Sequence, residues 1–444
     1  MKFETLDALT VHSIGGGWGL EIEDEGHTEC VAVIRGTDIP KLALGDTSSV
    51  PVRWETSSKV RTRLLQYGDI VMEVSGGSAA TGQHTGRALF VTLEILEKLG
   101  GRVIPASFCR LLRLDSEKID PKYISYQIAN MHLTEEIALF ENQSTGISNF
   151  QFTRFLGSIY PLTNDLQTQS SIANFFDSID RQIITLQQIN SSLESIAKAI
   201  FQSWFVDFDP VRVKLDGGKP IGLDEATANL FPNTFQESEL GHIPKGWEIR
   251  SVGDVVDCVG GGTPSTAEPK YWEGGTHHWT TPKDFSSLKS PILLRTDRKL
   301  TDAGIAKISS GLLPIGTVLL SSRAPVGYLA IASMPVAINQ GFIALKCNEY
   351  ASNYFMLNWC QSNMLEIESR ATGTTFAEIS KQNFRPIRVV LPPKRLVSAF
   401  TTKVEPLYEQ ITANLRQSQT LASLRDTLLP KLLSGELSVE NLQP

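Results

Sequence analysis

The feature that most constrains this chain is a long apolar seam without a helix breaker. From Ile172 to Trp204 the seam positions recur in alternating steps of four and three, and no proline or glycine intervenes. This period is typical of a coiled coil rather than of an ordinary surface helix. At 1.5 Å per residue, a helix over about residues 166–206 would be roughly 60 Å long. A single helix of that length cannot bury its seam, so the sequence predicts a partner.

The partner lies in the same chain, because the seam returns near the C-terminus. Phe400 corresponds to Ile172, and Leu428 corresponds to Ile200, at the same offset of 228 positions (400 − 172 and 428 − 200). We therefore interpret the second stretch as a copy of the first. The predicted seam residues are Ile172, Phe176, Ile179, Ile183, Leu193 and Ile200 in the first helix, and Phe400, Val404, Leu407, Ile411, Leu421 and Leu428 in the second.

The globular regions before the two seams also resemble each other. The matching segments are IGGGW at 14 and VGGGT at 259, YGDIVM at 67 and IGTVLL at 315, and STGIS at 144 and ATGTT at 371. A chain of this kind is a tandem repeat of one variable globular domain followed by one constant long helix, and such repeats decide the fold. The polar seam positions Asn190 and Ser418 share the offset of the helices, and a polar residue in a seam usually fixes alignment at some cost in stability.

Composition fits a chain with more than one domain. The 444 residues are 41% hydrophobic, which is enough for two cores of about 150 residues each. The N-terminus has no basic segment followed by an apolar one, and no run approaches the roughly 18 apolar residues of a membrane span. The five cysteines form no CxxC pair, as expected of reduced thiols. We expect a cytoplasmic chain.

The segment between the copies differs from both. Residues 209–246 are rich in proline, glycine, asparagine and acidic residues, and they follow neither hydrophobic period. This composition predicts an extended linker that returns the chain to the start of the second copy.

Three segments around this linker carry a family resemblance. FQSWFVDFDPVR at 201, GHIPKGWEIRSVGDVV at 241 and GGGTPSTAEPKYWEGGTHHWTTPKDF at 260 resemble the specificity subunit of Type I restriction-modification systems. The resemblance covers nearly the whole chain in the expected order. It implies a non-catalytic, prokaryotic subunit that reads a split, asymmetric DNA target with one domain for each half-site.

The resemblance also implies an architecture and partners. We expect an α+β chain whose two target recognition domains are spaced by an antiparallel coiled coil of the two long helices. The expected boundaries are 1–160 for the first domain, 161–208 for the central helix, 209–243 for the linker, 244–392 for the second domain and 393–434 for the C-terminal helix. Two methyltransferase subunits and two restriction-translocase subunits would join double-stranded DNA as partners. Those partners would use S-adenosylmethionine, ATP and Mg²⁺, and this chain would bind no cofactor or metal.

Charge argues against a strong DNA binder. The formal net charge is −7, whereas duplex binders usually carry a basic surface that displaces phosphate counterions. Local clusters soften that argument, although a solvated face is the default interpretation of such clusters. The candidate phosphate contacts are Lys59, Arg61 and Arg63 in the first copy and Arg295, Arg298 and Lys299 in the second.

Candidate base readers are polar side chains on glycine-rich loops, since arginine can pair with guanine, and asparagine or glutamine with adenine. For any one of them, an ordinary polar loop residue is the alternative. Lys283, beside Thr281, also suits a phosphate contact. The candidates are Gln83, His84, Arg87, Asn142, Gln143 and Asn149 in the first copy, and Lys283, Arg323, Arg370 and Thr374 in the second.

Aromatic residues at the end of the first helix offer a docking site for a methyltransferase subunit. Trp204, Phe205 and Phe208 form this cluster. Packing between the helix end and the domain is the alternative that we favour, because exposed apolar clusters are uncommon. Trp272 and Trp279 have the same two interpretations, with core packing again favoured.

Two other functional classes stay open. Asp257, Glu268 and Lys270 have a spacing found in metal-dependent nucleases, but Pro269 weakens the strand that such a site needs. Neither GGG run continues into a phosphate-binding loop. His277 and His278 are adjacent, so on a strand they would point to opposite faces and could not share one zinc ion. The remaining alternative is a coiled-coil scaffold without DNA preference.

Overall fold

The computed structural model describes residues 2–76, 83–144, 147–162, 165–373 and 377–439. The chain divides into two compact units, the first formed by Met1–Thr185 with Ser418–Pro444 and the second by Leu186–Gln417. Both divisions fall inside the long helices, so each long helix contributes to both units. Across the described ranges, we find no helix with the length and apolar content needed to cross a membrane.

The first unit combines two small sheets, two ribbons and several helices. Its strands are β1 (Lys2–Thr5), β2 (Thr10–Gly15), β3 (Glu29–Ile34), β4 (Val52–Glu55), β5 (Ile70–Glu73), β6 (Ala88–Phe90), β7 (Val103–Pro105), β8 (Cys109–Leu114), β9 (Glu141–Ser144), β10 (Ile147–Phe150) and β11 (Ile159–Leu162). Its helices are α1 (Ile39–Leu42), α2 (Ser57–Arg63), α3 (Leu93–Lys98), α4 (Pro121–Leu133), α5 (Phe152–Gly157) and the first half of α6 (Leu166–Phe205). Short 3₁₀ turns cover Asp7–Leu9 and Glu136–Phe140.

The second unit contains the other half of α6 and the elements that follow it. Its helices are α7 (Asp209–Leu215), α8 (Glu225–Asn229), α9 (Val252–Val255), α10 (Pro282–Phe285), α11 (Asp302–Ile305), α12 (Asn353–Ser362), α13 (Met364–Ser369), α14 (Lys381–Phe384) and part of α15 (Lys394–Leu433). Its strands are β12 (Phe235–Ser238), β13 (Gly241–Pro244), β14 (Glu248–Ser251), β15 (Asp257–Gly260), β16 (His277–Thr280), β17 (Ile292–Leu293), β18 (Arg298–Leu300), β19 (Val318–Ser322), β20 (Val326–Ala332), β21 (Val336–Ile338), β22 (Phe342–Lys346) and β23 (Arg388–Leu391), and a 3₁₀ turn covers Pro269–Tyr271.

The strand order of the first unit recurs in the second. The larger sheets run β2-β8-β5-β6 and β15-β22-β19-β20-β17, and the smaller ones run β4-β3-β7 and β18-β16-β21. In each smaller sheet the central strand pairs in parallel with the last strand and antiparallel with the first. The tandem repeat predicted from the sequence is therefore confirmed in the topology, with β17 as an addition to the second copy.

The matching GGG segments make the same backbone contact in both units. The amide of Gly17 donates to the carbonyl of Pro105, and the amide of Gly262 donates to that of Ile338, each over 2.9 Å. A Cβ atom on Gly16 would lie 2.0 Å from a carbonyl oxygen, and one on Gly261 would lie 1.9 Å from another. Only glycine permits so close an approach, which explains why the motif appears twice.

The core of the first unit forms where α4 meets the long helices. Asp120 caps α4 by accepting the amide hydrogens of Lys122 and Tyr123, and Pro121 occupies the first turn. The buried face of α4 joins one cluster with residues of α6 and α15. Its members include Tyr123, Ile124, Ile128, Ile172, Phe176, Ile179, Leu429 and Leu432.

The long helices pair antiparallel in each unit. In the second unit Asn190 meets Asn414, whereas Phe201, farther along α6, meets the earlier residue Phe400 at a ring distance of 5.8 Å. In the first unit Asp180 of α6 meets Arg425 of α15. The antiparallel coiled coil expected from the resemblance is confirmed, and the observed bounds of α6 differ by one residue from the 166–206 predicted by the seam.

Most of the predicted seam is buried. Phe176, Phe400, Val404 and Ile411 have no exposed surface. The half-buried members are Leu193, Ile200, Leu407, Leu421 and Leu428. The polar partner of Asn190 is Asn414, which donates its amide to Asn190 Oδ1 over 2.8 Å. Ser418, the repeat equivalent of Asn190, has a buried hydroxyl for which the described part of the chain offers no hydrogen-bond partner.

The segment expected to be an extended linker is instead structured. It folds into α7, α8 and the hairpin of β12 and β13. The segment is structured because widely spaced large apolar residues in it are buried in the core. Val211, Phe231 and Ile243 are 0–2% exposed. Phe208 adopts the left-handed conformation at φ 57° where α6 gives way to α7.

Candidate nucleic-acid interface

The predicted readers of the first unit surround the end of β5. Arg87 donates from Nε and Nη2 to the two carboxylate oxygens of Glu73, over 2.8 and 2.6 Å. The Glu73 side chain is 3% exposed, so this pair is largely buried. The hydrogen bonds that Arg87 donates to Glu73 raise the pKa of Arg87, and burial only partly opposes them.

His84 is paired with an acid in the same way. Its Nδ1 lies 2.9 Å from Glu141 Oε2, and Thr85 donates to the other oxygen of Glu141 from both its amide and its hydroxyl. Burial would raise the pKa of Glu141, but these hydrogen bonds outweigh burial and lower it. The carboxylate thus ties the segment before β6 to β9.

The remaining predicted readers of this unit lie on or beside the β9–β10 ribbon. Asn142 and Asn149 are exposed and directly opposite each other in the register of the two strands. Gln83 is exposed before β6. The side chain of Gln143 lies outside the described residues.

The predicted phosphate contacts of the first unit lie on α2. Lys59 forms an ion pair of 3.1 Å with the buried Glu55, and Arg63 donates from Nε to the carbonyl of Gly15 over 2.9 Å. Arg61 is exposed between them. The structure brings these three residues to one short helix, on which Lys59 and Arg61 are exposed and Arg63 is half-buried.

In the second unit the structure brings two predicted contacts together. Lys283 of α10 and Arg323, which follows β19, line one cleft of about 440 Å³ together with Tyr328 and Asn339. Arg323 Nη1 lies 3.7 Å from Glu378 Oε2.

Other predicted residues of the second unit lie apart from that cleft. Arg370, the C-cap of α13, pairs over 2.6 Å with Glu366 in that helix. The Arg298 guanidinium stacks 3.6 Å above the Trp272 ring, which itself packs edge-on against Trp279. Arg295 and Lys299 are exposed, and Thr374 lies outside the described residues.

Three residues in these loops were missed from the sequence. Ser75 forms an isolated β-bridge with Asn149, and Arg323 forms one with Glu378. Asn339 completes the cleft of Lys283. The offset between YGDIVM and IGTVLL makes Ser75 the repeat equivalent of Arg323. This correspondence could have identified Ser75 as a candidate from the sequence. No sequence signal marks Glu378 or Asn339, because both depend on strand pairing.

The aromatic docking candidates lie inside the second unit. Trp204, Phe205 and Phe208 are 4–9% exposed and contact Phe231, Trp247 and Phe400. This placement is the one that the packing interpretation expects, and a docking role for the three residues stays a prediction.

Two residues of the nuclease alternative pair with each other, and the third pairs with a different residue. Asp257 pairs with Lys346 at 3.5 Å, and Glu268 pairs with Lys270 at 3.3 Å. Over the described part of the chain, no group of three or more histidine, cysteine or acidic residues has the arrangement of a metal site.

Known proteins resemble this chain in sequence and fold. Residues 244–404 match the family described as Type I restriction modification DNA specificity domain. The HindI specificity subunit of Haemophilus influenzae is 24% identical over 417 residues, which cover 84% of this chain and 88% of that protein. The MjaIX specificity subunit of Methanocaldococcus jannaschii is 31% identical over 192 residues, covering 43% of this chain and 44% of that protein.

A solved structure supports the fold over almost the full length. The S subunit of a Type I restriction-modification system from M. genitalium covers 97% of this chain, and this chain covers 96% of it, with a TM-score of 0.55 and 16% identity. The resemblance inferred from the sequence is thereby confirmed. The chain is similar in sequence and fold to the specificity subunits of Type I restriction-modification systems, whose role is DNA sequence recognition.

Proposed function

We propose that this chain reads a bipartite, asymmetric DNA target, with each globular unit reading one half-site, and that it directs partner subunits to that target. The observation that carries the proposal is the repeated strand order with unlike side chains at equivalent loop positions. Equivalent frames that present different donors and acceptors suit the recognition of two different half-sites.

Charge pairing supports weak DNA binding by the chain alone. Arg87, Arg323, Arg370 and Lys59 each have a carboxylate partner, and the chain carries a formal net charge of −7. A cation paired with an acid attracts phosphate less, and fewer released counterions mean lower affinity. Strong binding would then need partner subunits that add basic surface around the duplex.

The proposal includes those partners and their chemistry. Two methyltransferase subunits would join this chain for DNA methylation, and two restriction-translocase subunits would be added for cleavage. S-adenosylmethionine, ATP and Mg²⁺ would be used by the partners. The setting would be a prokaryotic cytoplasm, which suits the five free cysteines of the structure.

The test is selection from a random-sequence duplex library by the full chain with co-expressed methyltransferase subunits. We expect enrichment of two unlike half-sites at a fixed spacing. We also expect the chain alone to bind more weakly and to lose affinity steeply as salt rises. Enrichment of no sequence would favour the scaffold alternative, and cutting of DNA by the purified chain with Mg²⁺ alone would favour the nuclease.

A further inference from the structure

Two residue pairs occupy the same place in the two units. The first-unit pair is Ser75 with Asn149, and the second-unit pair is Arg323 with Glu378. In each pair one residue follows the strand at the centre of the larger sheet, and the other belongs to the segment that returns beside it. Each pair lies wholly within its own unit.

The backbone around the pairs matches hydrogen bond by hydrogen bond. In the first unit the Val74 amide donates to the Phe108 carbonyl over 2.8 Å, and the Val74 carbonyl accepts from the Phe150 amide over 2.9 Å. In the second unit Ser322 makes both of the corresponding bonds, at the same two distances. The positions are therefore structurally equivalent.

The residue after the first member of each pair has a positive backbone φ angle. Gly76 has a φ of 151° and Ala324 a φ of 53°. Non-glycine residues seldom adopt positive φ, and such residues cluster at functional loops. Ala324, the residue after Arg323, therefore has a backbone conformation of the kind found at functional loops.

The side chains differ at this shared frame. In the first-unit pair the Ser75 hydroxyl donates to Asn149 Oδ1 over 3.0 Å. In the second-unit pair the two charged groups are 3.7 Å apart, and the side chains are 36% and 46% exposed. An exposed ion pair of that length contributes little to stability. Each of its two groups can therefore leave the other and bind a ligand instead.

We infer that these two pairs are equivalent specificity-determining positions, and that the second-unit pair reads a G·C base pair where the first-unit pair reads an A·T base pair. Arginine matches guanine O6 and N7, and a glutamate oxygen can accept from the cytosine amino group. Asparagine matches adenine N6 and N7, and serine can bond to either base. This inference deepens the proposed function and rests on it.

The experiment exchanges the pairs in the full-length chain with its methyltransferase partners. One variant carries Arg323→Ser with Glu378→Asn, and the reciprocal variant carries Ser75→Arg with Asn149→Glu. Selection from a random-sequence duplex library then reports the base preferred at every position. We expect one base pair to change from G·C to A·T in one half-site for the first variant, and from A·T to G·C in the other half-site for the second. The preference at that position should shift by about 5- to 150-fold.

A matched control removes an exposed ion pair elsewhere in the second unit. Arg388 and Glu239 are 3.0 Å apart and are 48% and 54% exposed, so Arg388→Ser with Glu239→Asn makes the same chemical change. We expect the control to select the unchanged target, and circular dichroism to show that all variants are folded.

The outcomes separate the inference from the function on which it rests. If the unaltered chain selects no bipartite target, the proposed function fails. If it does select one, but both exchanged variants keep every base preference, the pairs do not determine specificity. A uniform loss of affinity across all sequences would likewise overturn the inference, since it would assign the pairs to phosphate contact.

Discussion

At the residue scale, a predicted reader can be essential to the fold before it touches DNA. Arg87 forms a bidentate pair with Glu73, whose side chain is 3% exposed. Removing one member of a buried pair leaves an uncompensated charge, whereas removing both costs much less. A loss of DNA binding in an Arg87 variant would therefore have two physical causes to separate.

We expect Arg87→Ala to destabilise the first unit by about 3–5 kcal/mol, because it leaves the Glu73 carboxylate buried and unpaired. The double variant Arg87→Ala with Glu73→Ala should recover part of that loss. Urea unfolding of the single and double variants measures the coupling. Equal stability of Arg87→Ala and the unaltered chain would show that the pair is not structural, and a loss of DNA binding in that variant would then point to base reading.

The buried asparagine pair of the coiled coil makes a second prediction. Asn190 and Asn414 are 2% and 3% exposed and bond to each other over 2.8 Å. Asn190→Leu leaves the Asn414 amide buried with one partner fewer, so we expect a loss of about 1–3 kcal/mol. Replacing both by leucine should restore or raise the melting temperature while relaxing the alignment of the helices. A higher melting temperature for Asn190→Leu alone would contradict this account.

A single acid in α6 makes stability depend on pH. Burial raises the pKa of Glu194, and a hydrogen bond with Ser290 only partly opposes this shift; among the described residues, Oε1 has no hydrogen-bond partner. Because the folded-state pKa is above the unfolded one, the folded chain holds this proton more tightly, and stability is lost as pH rises through the raised value. Glu194→Gln should therefore stabilise the chain at neutral pH and lose that advantage below the usual glutamate range. Melting temperatures across a pH series would test this, and an equal gain at every pH would exclude it.

At the element scale, the long helices are the part most fully predictable from the sequence. The seam period is local and repeats from Ile172 to Trp204 within the 40-residue helix α6, so one pattern fixes both the helix and its buried face. The partner of Asn190 was not predictable by matching the repeats, because antiparallel pairing joins positions that the repeat offset does not. For the same reason Glu378 escaped notice, since only strand pairing brings it to Arg323. The sequence likewise predicted a phosphate contact for Arg298, whereas in the structure its guanidinium stacks on the Trp272 ring.

Lengthening both helices tests whether they set the spacing of the target. One heptad inserted after Asn190 and one after Ala413 keeps both seams in phase and keeps Asn190 opposite Asn414. Each helix grows by about 10 Å at 1.5 Å per residue. Since DNA rises about 3.4 Å per base pair, we expect the same half-sites about three base pairs farther apart.

A methylation-site survey of this insertion variant gives the spacing directly. Three base pairs also turn the second half-site by about 100° around the duplex, so a companion variant with three heptads in each helix serves as the control. Its added length of about 32 Å is close to one DNA turn. The original spacing in both variants would rule out the helices as the spacer.

At the scale of the whole molecule, the repeat predicts that half of the chain can pair with itself. Residues 1–210 contain one globular copy and one seam, and a second copy could supply the missing helix by two-fold symmetry. The fragment lacks Arg425, the partner of Asp180. By the offset of 228, Arg425 corresponds to Ala197 (425 − 228). We therefore expect a dimer of the fragment, and a tighter one with Ala197→Arg.

Analytical ultracentrifugation of the two fragments measures their association. With methyltransferase subunits, the dimer should modify a symmetric site built from the first half-site alone. A stable monomer of residues 1–210 at micromolar concentration would speak against equivalence of the copies. Unchanged dimerisation with Ala197→Arg would limit the equivalence to the apolar seam.

The division of each long helix between both units has a consequence for synthesis on the ribosome. The first unit includes Ser418–Pro444, so it lacks part of its core until the residues after Gln417 have been synthesised. Lys394 emerges 189 positions after Phe205 (394 − 205), which at 5–20 residues per second is about 10–40 s later. During that interval the α6 seam has no partner, and two chains growing on one messenger could join through their seams. The test is limited proteolysis of ribosome-bound chains that stop before Lys394. Protection of α6 in these chains would show that its seam is buried before α15 has been synthesised, against this expectation.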